Sequence, residues 1–305
     1  MKNTQLNIEK INSVVALHSF LALPSPSNPL ISIIDHSQLS YKHPYENQKL
    51  NMDLYNITVK RNFKDQIKYG KNSYDYDKGS MSFIAPNQII AMANQTDTSK
   101  NDGWSLVFHP DLIRKYPLFS AIKKYGFFSY EVFEGLHLSE EEEKTINALI
   151  QNIHNEIISR LDHFSQEVIV ANLELLLSYC NRFYNRQFLT RKMATNDLLT
   201  KFETLLQSYF TENTTLELPK VEKIATELNV SSSYLSDMLR TVTGQNTQQH
   251  IHEKLIEKAK EMLTTTQLSV SEVAFSLGFE YSQSFSKLFK SKTNQTPIEF
   301  RNSFN

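Results

Sequence analysis

Residues 218–301 carry one pattern written twice. Ile224-Ala225 is matched by Val273-Ala274, and Leu228 by Leu277, each 49 positions further on. Past the turn the offset is 50, pairing Leu235 with Phe285, Leu239 with Phe289, Thr243 with Thr293 and Gly244 with Asn294. The register changes by one inside the turn, where an extra residue disturbs packing least. An internal repeat of this kind limits the possible folds before any other feature is considered.

Each copy has the spacing of helix, tight turn, helix. In the first, Val221, Ile224, Ala225 and Leu228 recur at helical intervals, and Asn229 can take the left-handed conformation that ends a helix. Ser231, Ser232 and Ser233 offer N-cap hydroxyls to a second helix, whose apolar side is Leu235, Met238, Leu239 and Val242 and whose end is Gly244. In the second copy Val270, Val273, Ala274 and Leu277 form the first stripe, and Gly278 makes the turn. Ser282 or Ser284 can cap the next helix, which buries Phe285, Leu288 and Phe289 and stops before Pro297. Small residues, Ala225 and Ala274, stand where the paired helices cross. The pattern predicts a helix-turn-helix; a small helical bundle that binds nothing is the plainer alternative. A long helix near Thr247–Leu263 joins the copies. Two reading helices held at a fixed separation suit successive major grooves, roughly 34 Å apart, on one face of a duplex.

The segment resembles the DNA-binding domain of the AraC/XylS family of bacterial transcription regulators. The resemblance rests on Val270-x-x-Val273-Ala274-x-x-x-Gly278-Phe279, then Phe285, Phe289-Lys290, and Thr296-Pro297-x-x-Phe300-Arg301. Two positions depart from the family pattern. Asn294 stands where the family usually has Gly, and Asn tolerates the same left-handed backbone. Phe300 stands where Tyr is usual, keeping the ring and losing the hydroxyl.

The 305 residues leave room for a second domain. A single cysteine, Cys180, excludes an intramolecular disulfide framework and a multi-cysteine zinc site, which fits a reducing cytoplasm. No basic segment followed by an apolar run marks a signal peptide, and no apolar run approaches the ~20 residues of a spanning helix. Residues 1–110 read as β-rich, with strands expected in Val14–Leu23, Leu30–Asp35, Leu50–Lys60, Met81–Ala85, Ile89–Ala93 and Trp104–His109. Turn-formers separate them at residues 24–29, 71–73, 77–80 and 102–103. Short strands at this spacing suggest a sandwich or barrel. The family resemblance implies a cupin-like β-barrel acting as a sensory domain. Its weaker N-terminal part rests on Met81-Ser82-Phe83-Ile84-Ala85-Pro86 and Trp104-x-x-x-Phe108-His109-Pro110.

A barrel of this kind encloses a pocket. Tyr55, Phe83, Trp104 and Phe108 are candidate lining residues for a small-molecule effector, with ordinary core packing as the alternative. The rival reading is a cupin-type metalloenzyme with a helical appendage. It is disfavoured because His18, His36, His43 and His109 are scattered, with no His-x-His pair, and read as surface or strand-end residues. No nucleophile elbow, phosphate-binding glycine loop or HExxH helix occurs. No enzyme activity, metal or cofactor is therefore expected.

From Asp111 the chain turns helical. Leu118–Tyr125 is a short helix, and Ser139 with Glu142 forms a capping box for a longer one running to about Leu161. In the next helix, about Phe164–Phe188, Ile169, Leu173, Leu176, Cys180 and Phe183 step 4-3-4-3, the spacing of a dimer seam. A second stripe, Val168, Ala171, Leu175 and Tyr179, is expected to cover the barrel. The alternative is that the helix packs only on its own subunit. Cys180 reads as a buried hydrophobe. Phe188–Asn196 reads as the interdomain linker, and Asp197–Phe210 as the first helix of the DNA-binding part.

DNA contacts are expected on the solvent side of the second helix of each copy. In the second copy these are Ser282, Gln283, Ser284 and Lys287, flanked by Lys290, Lys292 and Arg301 for phosphate. Gln pairs with adenine edges and Lys with guanine acceptors or phosphate. Arg301 has the alternative of capping a helix end or pairing with an acid. The first copy offers Ser232, Ser233, Ser236, Asp237 and Arg240, where Asp237 either accepts from cytosine N4 or is neutral to binding. Residues 217–244 hold three basic and four acidic groups, net −1; residues 281–301 hold four basic and one acidic, net +3. Phosphate neutralisation dominates non-specific affinity, so the second motif is expected to anchor and the first to discriminate.

The sequence thus predicts an α+β chain with a cupin-like barrel at 1–110, helices at 111–187, a linker at 188–196 and an all-α DNA-binding domain at 197–305. The expected function is cytoplasmic, sequence-specific transcription regulation, with activation favoured. The expected partners are double-stranded promoter DNA, a second copy of the chain, RNA polymerase and an effector.

Overall fold

Strand alternation and helix capping build two separate units. The computed structural model describes residues 8–39, 49–61, 79–91, 102–131, 134–159, 162, 164–190, 192–211 and 218–303. The units are residues 1–187 and 188–305.

In the first unit the strands are β1 (Ile8–Ile11), β2 (Ile31–Asp35), β3 (Lys49–Met52), β4 (Tyr55–Arg61), β5 (Ser80–Ile84), β6 (Ile89–Ala91), β7 (Asp102–Phe108) and β8 (Leu136–His137). They form two sheets, ordered β1-β3-β6 and β2-β7-β4-β5-β8. All pairings are antiparallel except β1 with β3. No closed barrel forms among the described strands. Period-two alternation sends Tyr55, Ile57, Val59, Leu106 and Phe108 to one face of the larger sheet, where register pairs Ile57 with both Leu106 and Phe83. Helices α3 (Glu140–Ile158) and α4 (Ser165–Thr190) lie on that face: Trp104 Nε1 donates to Asn147 Oδ1 on α3, and the Phe83 and Tyr184 rings meet at 6.0 Å. On the other face, Ile34 and Val107 share a core with Ile11, Leu50, Met52 and Leu54 of the smaller sheet.

Several expectations change here. Val14–Leu23 is not a strand: residues 14–20 form helix α1 (Val14–Phe20), with Ser13 Oγ accepting from Ala16 N–H. The cap and the buried Val14 and Leu17, one turn apart, outweigh the β-branched pair Val14-Val15. Leu50–Lys60 is broken at Asp53, whose N–H donates to Ile11 O, giving two strands. The short helix splits into α2 (Leu118–Ala121) and a 3-10 turn at 122–124. Ser139 and Glu142 make the expected capping box. His18 is buried within α1 rather than at the surface or a strand end, and His36 is at a strand end, directly after β2, but buried; His36 Nε2 meets Ser105 Oγ at 2.8 Å. Burial, then the nearby Lys60 charge, lowers the His36 pKa to about 4. His43 lies outside the described residues, as do the turns at 71–73 and 77–78.

The two stripes of α4 are exchanged. Ile169, Leu173, Leu176, Cys180 and Phe183, expected at a dimer seam, are buried inside the subunit. Burial pushes the Cys180 thiol pKa up. Val168, Ala171 and Leu175, expected to face the sheet, are exposed, and Tyr179 is half-buried. A 4-3 spacing identifies an apolar face but not its occupant, and the nearer five-stranded sheet takes the richer one.

The second unit is all helical: α5 (Lys192–Thr211), α6 (Val221–Glu227), α7 (Ser232–Thr243), α8 (Thr247–Thr265), α9 (Val270–Ser276), α10 (Ser282–Thr293) and α11 (Pro297–Asn302). Residues 188–196, expected as linker, are the end of α4 and the start of α5, with only residue 191 undescribed. The two copies share one backbone. Asn229 at φ 56° and Gly278 at φ 86° are left-handed. In the first turn Val230 N–H donates to Ala225 O and Asn229 N–H to Thr226 O, both at 3.0 Å. In the second, Phe279 N–H donates to Ala274 O and Gly278 N–H to Phe275 O, again at 3.0 Å. This is the Schellman arrangement, which satisfies the last helical carbonyls. Gly244 and Asn294 end α7 and α10 in the same left-handed way. Capping boxes Asn246/Gln249 and Thr296/Glu299 then open α8 and α11, so the repeat extends into a third helix.

Gly278→Ala and Asn229→Ala should each destabilise the helical unit by ~1 kcal/mol, the cost of a Cβ in the left-handed region. Asn229→Gly should stay within about 0.5 kcal/mol. Urea unfolding followed by far-ultraviolet circular dichroism checks this; equal stability of Asn229→Ala and Asn229→Gly would contradict it.

Candidate nucleic-acid interface

The second helix of each copy has a buried and an open side. In α10, Phe285 and Phe289 are 0% exposed and belong to a core with Ala259, Leu263, Val273, Ala274 and Leu277. Phe285 meets Phe279 edge-on at 5.4 Å and Phe289 at 5.7 Å. Each buried ring contributes roughly 1.5–3 kcal/mol, enough to fix the rotation of a short helix. That rotation turns Gln283, Ser284, Lys287, Lys290 and Lys292 outward, all exposed, while Ser282 and Leu288 are half-buried. None of the three lysines makes an ion pair among the described residues.

The α10 N-terminus differs from expectation. Neither Ser282 nor Ser284 caps it; the N-cap is Tyr281, with no side-chain cap bond. Tyr281 replaces Ser231, whose Oγ accepts from Tyr234 N–H at 3.2 Å in the first copy. The ring of Tyr281 is 68% exposed beside Gln283 in sequence, a surface aromatic that the apolar pattern did not single out.

In α7, Leu235, Met238 and Leu239 are buried. Ser232 and Ser233 are half-buried in its first turn. Ser236 is half-buried and turned toward α8. Its Oγ lies 2.9 Å from Oγ1 of Thr247, a fully buried residue at the start of α8, so it satisfies an interior hydroxyl. Asp237 and Arg240 pair with each other at 2.7 Å, one turn apart, which leaves this surface with little net field.

Arg301 is half-buried and bonded within the unit. Its Nε donates to Leu263 O at 3.0 Å and Nη2 to Leu268 O at 2.6 Å, tying α11 to the end of α8. The capping alternative is the one the geometry fits.

In the first unit the four aromatic candidates are core. Tyr55 stacks on Phe108 at 5.0 Å and meets Phe128 edge-on at 5.2 Å, and Phe83 contacts Phe127 at 4.5 Å. Trp104 is 8% exposed and bonded to Asn147. Together they fill space rather than surround it. Among the described residues no cluster of three or more His, Cys, Asp or Glu side chains is arranged to hold a metal ion. No described helix is long and apolar enough to cross a membrane.

Residues 224–303 match the family model described as a helix-turn-helix domain. The chain is 34% identical over 95 residues, 31% of its length, to an uncharacterized HTH-type transcriptional regulator in the cgkA 5′ region of Pseudoalteromonas carrageenovora, covering 56% of that protein. It is 31% identical over 27% of its length to the regulatory protein SoxS of Salmonella typhimurium, covering 76% of it. It is 31% identical over 48% of its length to the HTH-type transcriptional activator RhaR of Escherichia coli, covering 52% of it. The chain thus spans about half the length of two of these curated relatives.

Three substitutions separate anchoring, reading and folding roles. Lys287→Ala should weaken DNA binding on all sequences alike and lower the slope of log K against log salt by about one. Gln283→Ala should cost about 1–3 kcal/mol on the preferred sequence and relax choice at one base pair. Arg301→Ala should lower unfolding stability by roughly 1.5–3 kcal/mol and leave the salt slope unchanged. Fluorescence anisotropy across a salt series, with urea unfolding alongside, measures all three.

Proposed function

The chain belongs to the AraC/XylS family of transcription regulators, and on that premise we propose that it is a sequence-specific DNA-binding regulator whose C-terminal unit reads promoter DNA with α7 and α10. The split of α10 carries this reading: two phenylalanines fully buried, with Gln283, Ser284 and Lys287 exposed opposite them. Lysines suit phosphate and the glutamine suits a base edge, the two kinds of contact that a reading helix needs. In this reading α10, with Lys290 and Lys292, is the electrostatic anchor. The first turn of α7, with its cap Ser231 and with Ser232 and Ser233, adds discrimination at little cost in field. The relation to RhaR favours activation, through contact with RNA polymerase. The first unit serves as the sensory part, a two-sheet relative of cupin-like domains, and the protein acts in the cytoplasm. In vitro selection of DNA by the full-length chain tests the core of the proposal: recovery of a shared motif is expected, and an unenriched pool would refute it.

The same reading makes the protein a dimer. A surface charge as low as that of α7 favours avidity, because two weak sites joined in one particle bind far more tightly than either alone. The outward stripe of α4 supports this role. Phe164, Val168 and Leu175 are 68%, 41% and 47% exposed, in line with exposed Ala171. Leu175→Asp should convert the dimer to monomer in sedimentation velocity with helix content unchanged, and DNA affinity should fall at least about tenfold. Leu176→Asp, on the buried stripe, should instead unfold the unit. A Leu175→Asp protein that still sediments as a dimer rules this face out.

A further inference from the structure

A cavity of about 160 Å³ lies in the first unit, between the loop after α1, β2 and helix α3. It is separate from the aromatic core and from the α4 stripe. It is partly open to solvent, and its volume is close to the ~150 Å³ that accepts one benzene ring, which sets the size of the group it can enclose.

The floor is a closed hydrogen-bond pair. His18 Nδ1 lies 2.5 Å from Pro24 O and Nε2 lies 2.9 Å from Ser32 Oγ. A carbonyl only accepts, so Nδ1 carries a hydrogen and donates it. With the neutral ring, the Ser32 hydroxyl donates to Nε2. Both residues are 7–8% exposed and already engaged, so they shape the site rather than grip a ligand.

The groups left to bind a ligand are the hydroxyls of Ser25 and Ser27, the Gln38 amide and the His154 ring, none of which makes a side-chain hydrogen bond among the described residues. All four can donate. The apolar part of the lining includes Leu23, Ile33 and Ile157. The lining contains no Asp, Glu, Lys or Arg, and no aromatic ring besides the two imidazoles. A sugar would therefore enter without a stacking face, and a polyanion without a cation. A single carboxylate on a short branched hydrocarbon matches both walls, its oxygens accepting from four neutral donors and its methyl groups lying on the isoleucines.

We infer that this cavity is a binding site for a small, branched monocarboxylate. The inference rests on the first unit alone and does not depend on the DNA-binding reading. Isothermal titration of the full chain with 3-methylbutanoate tests it directly, alongside 3-methylbutan-1-ol and 3-methylbutylammonium. Saturable binding of the carboxylate, at least about tenfold tighter than the alcohol or the ammonium, is expected. His154→Leu should weaken it by about tenfold, since one donor to a charged acceptor is lost. Gln38→Leu, at an exposed position, serves if His154→Leu fails to give a native circular dichroism spectrum. Absence of saturable binding, equal affinity for alcohol and carboxylate, or unchanged affinity in the folded variant would each overturn the assignment.

Discussion

The left-handed residue that ends α6 and α9 is the constraint on which the DNA-binding unit depends. A Schellman turn returns two carbonyls to hydrogen-bonded partners within two residues, so the chain reverses with few unsatisfied groups. It also fixes the exit direction of the next helix. Asn229 and Gly278 reach the same bonds at φ 56° and 86°, which is why unlike residues stand at matched positions. Everything on the open side of α7 and α10 follows from that direction together with the rotation imposed by Leu235, Leu239, Phe285 and Phe289. Neither factor would suffice alone: a turn without the buried residues leaves the helix free to roll, and buried residues without the turn leave its axis undefined.

With matched backbones, the two copies differ through their side chains. In α7 the one basic group is held by Asp237, and the serine one turn into the helix is drawn inward to Thr247. In α10 three lysines stand without ion pairs among the described residues, and the Ser cap is replaced by an exposed tyrosine. In the proposed reading, a backbone duplicated with this fidelity and a surface that has diverged this far separate two tasks that a single helix performs poorly. Strong phosphate binding favours every sequence equally, whereas discrimination requires contacts that fail on the wrong base.

Most of the helical unit was legible because its signals are local. Caps, left-handed residues and 3.6-residue stripes act within one or two turns, and the family signature in the second copy is built from such positions. Ser236 and Arg301 were not legible in the same way. Their partners lie 11 and 38 residues away, and a polar side chain near a surface looks alike whether it meets DNA or a buried hydroxyl. The α4 stripes were seen but exchanged, because periodicity reports faces and not neighbours. In the first unit, alternation located most of the strands, but the apolar run Val14–Leu23 was read as a strand, and the Ser13 cap makes residues 14–20 a helix. The helical continuation through 192–196 was missed although that stretch contains neither glycine nor proline to stop it. The aromatic candidates failed for a plainer reason: large rings on alternating strand positions pack against one another unless something holds them apart.

In the proposed reading, helix α8 lets the two motifs act as one reader. Its 19 residues span about 28 Å at the α-helical rise, of the same order as one duplex turn. Both ends are fastened by polar bonds, not by apolar contact alone. Thr247 in the first turn meets Ser236 of α7, and the carbonyl of Leu263 in the last turn accepts from Arg301 of α11. Apolar packing tolerates sliding, whereas a hydrogen bond with a buried partner is costly to stretch. The two clamps therefore set the register of each motif along the rod, and in the proposed reading the half-buried Ser236 and Arg301 act by fastening α7 and α11 to the ends of α8 rather than by touching DNA.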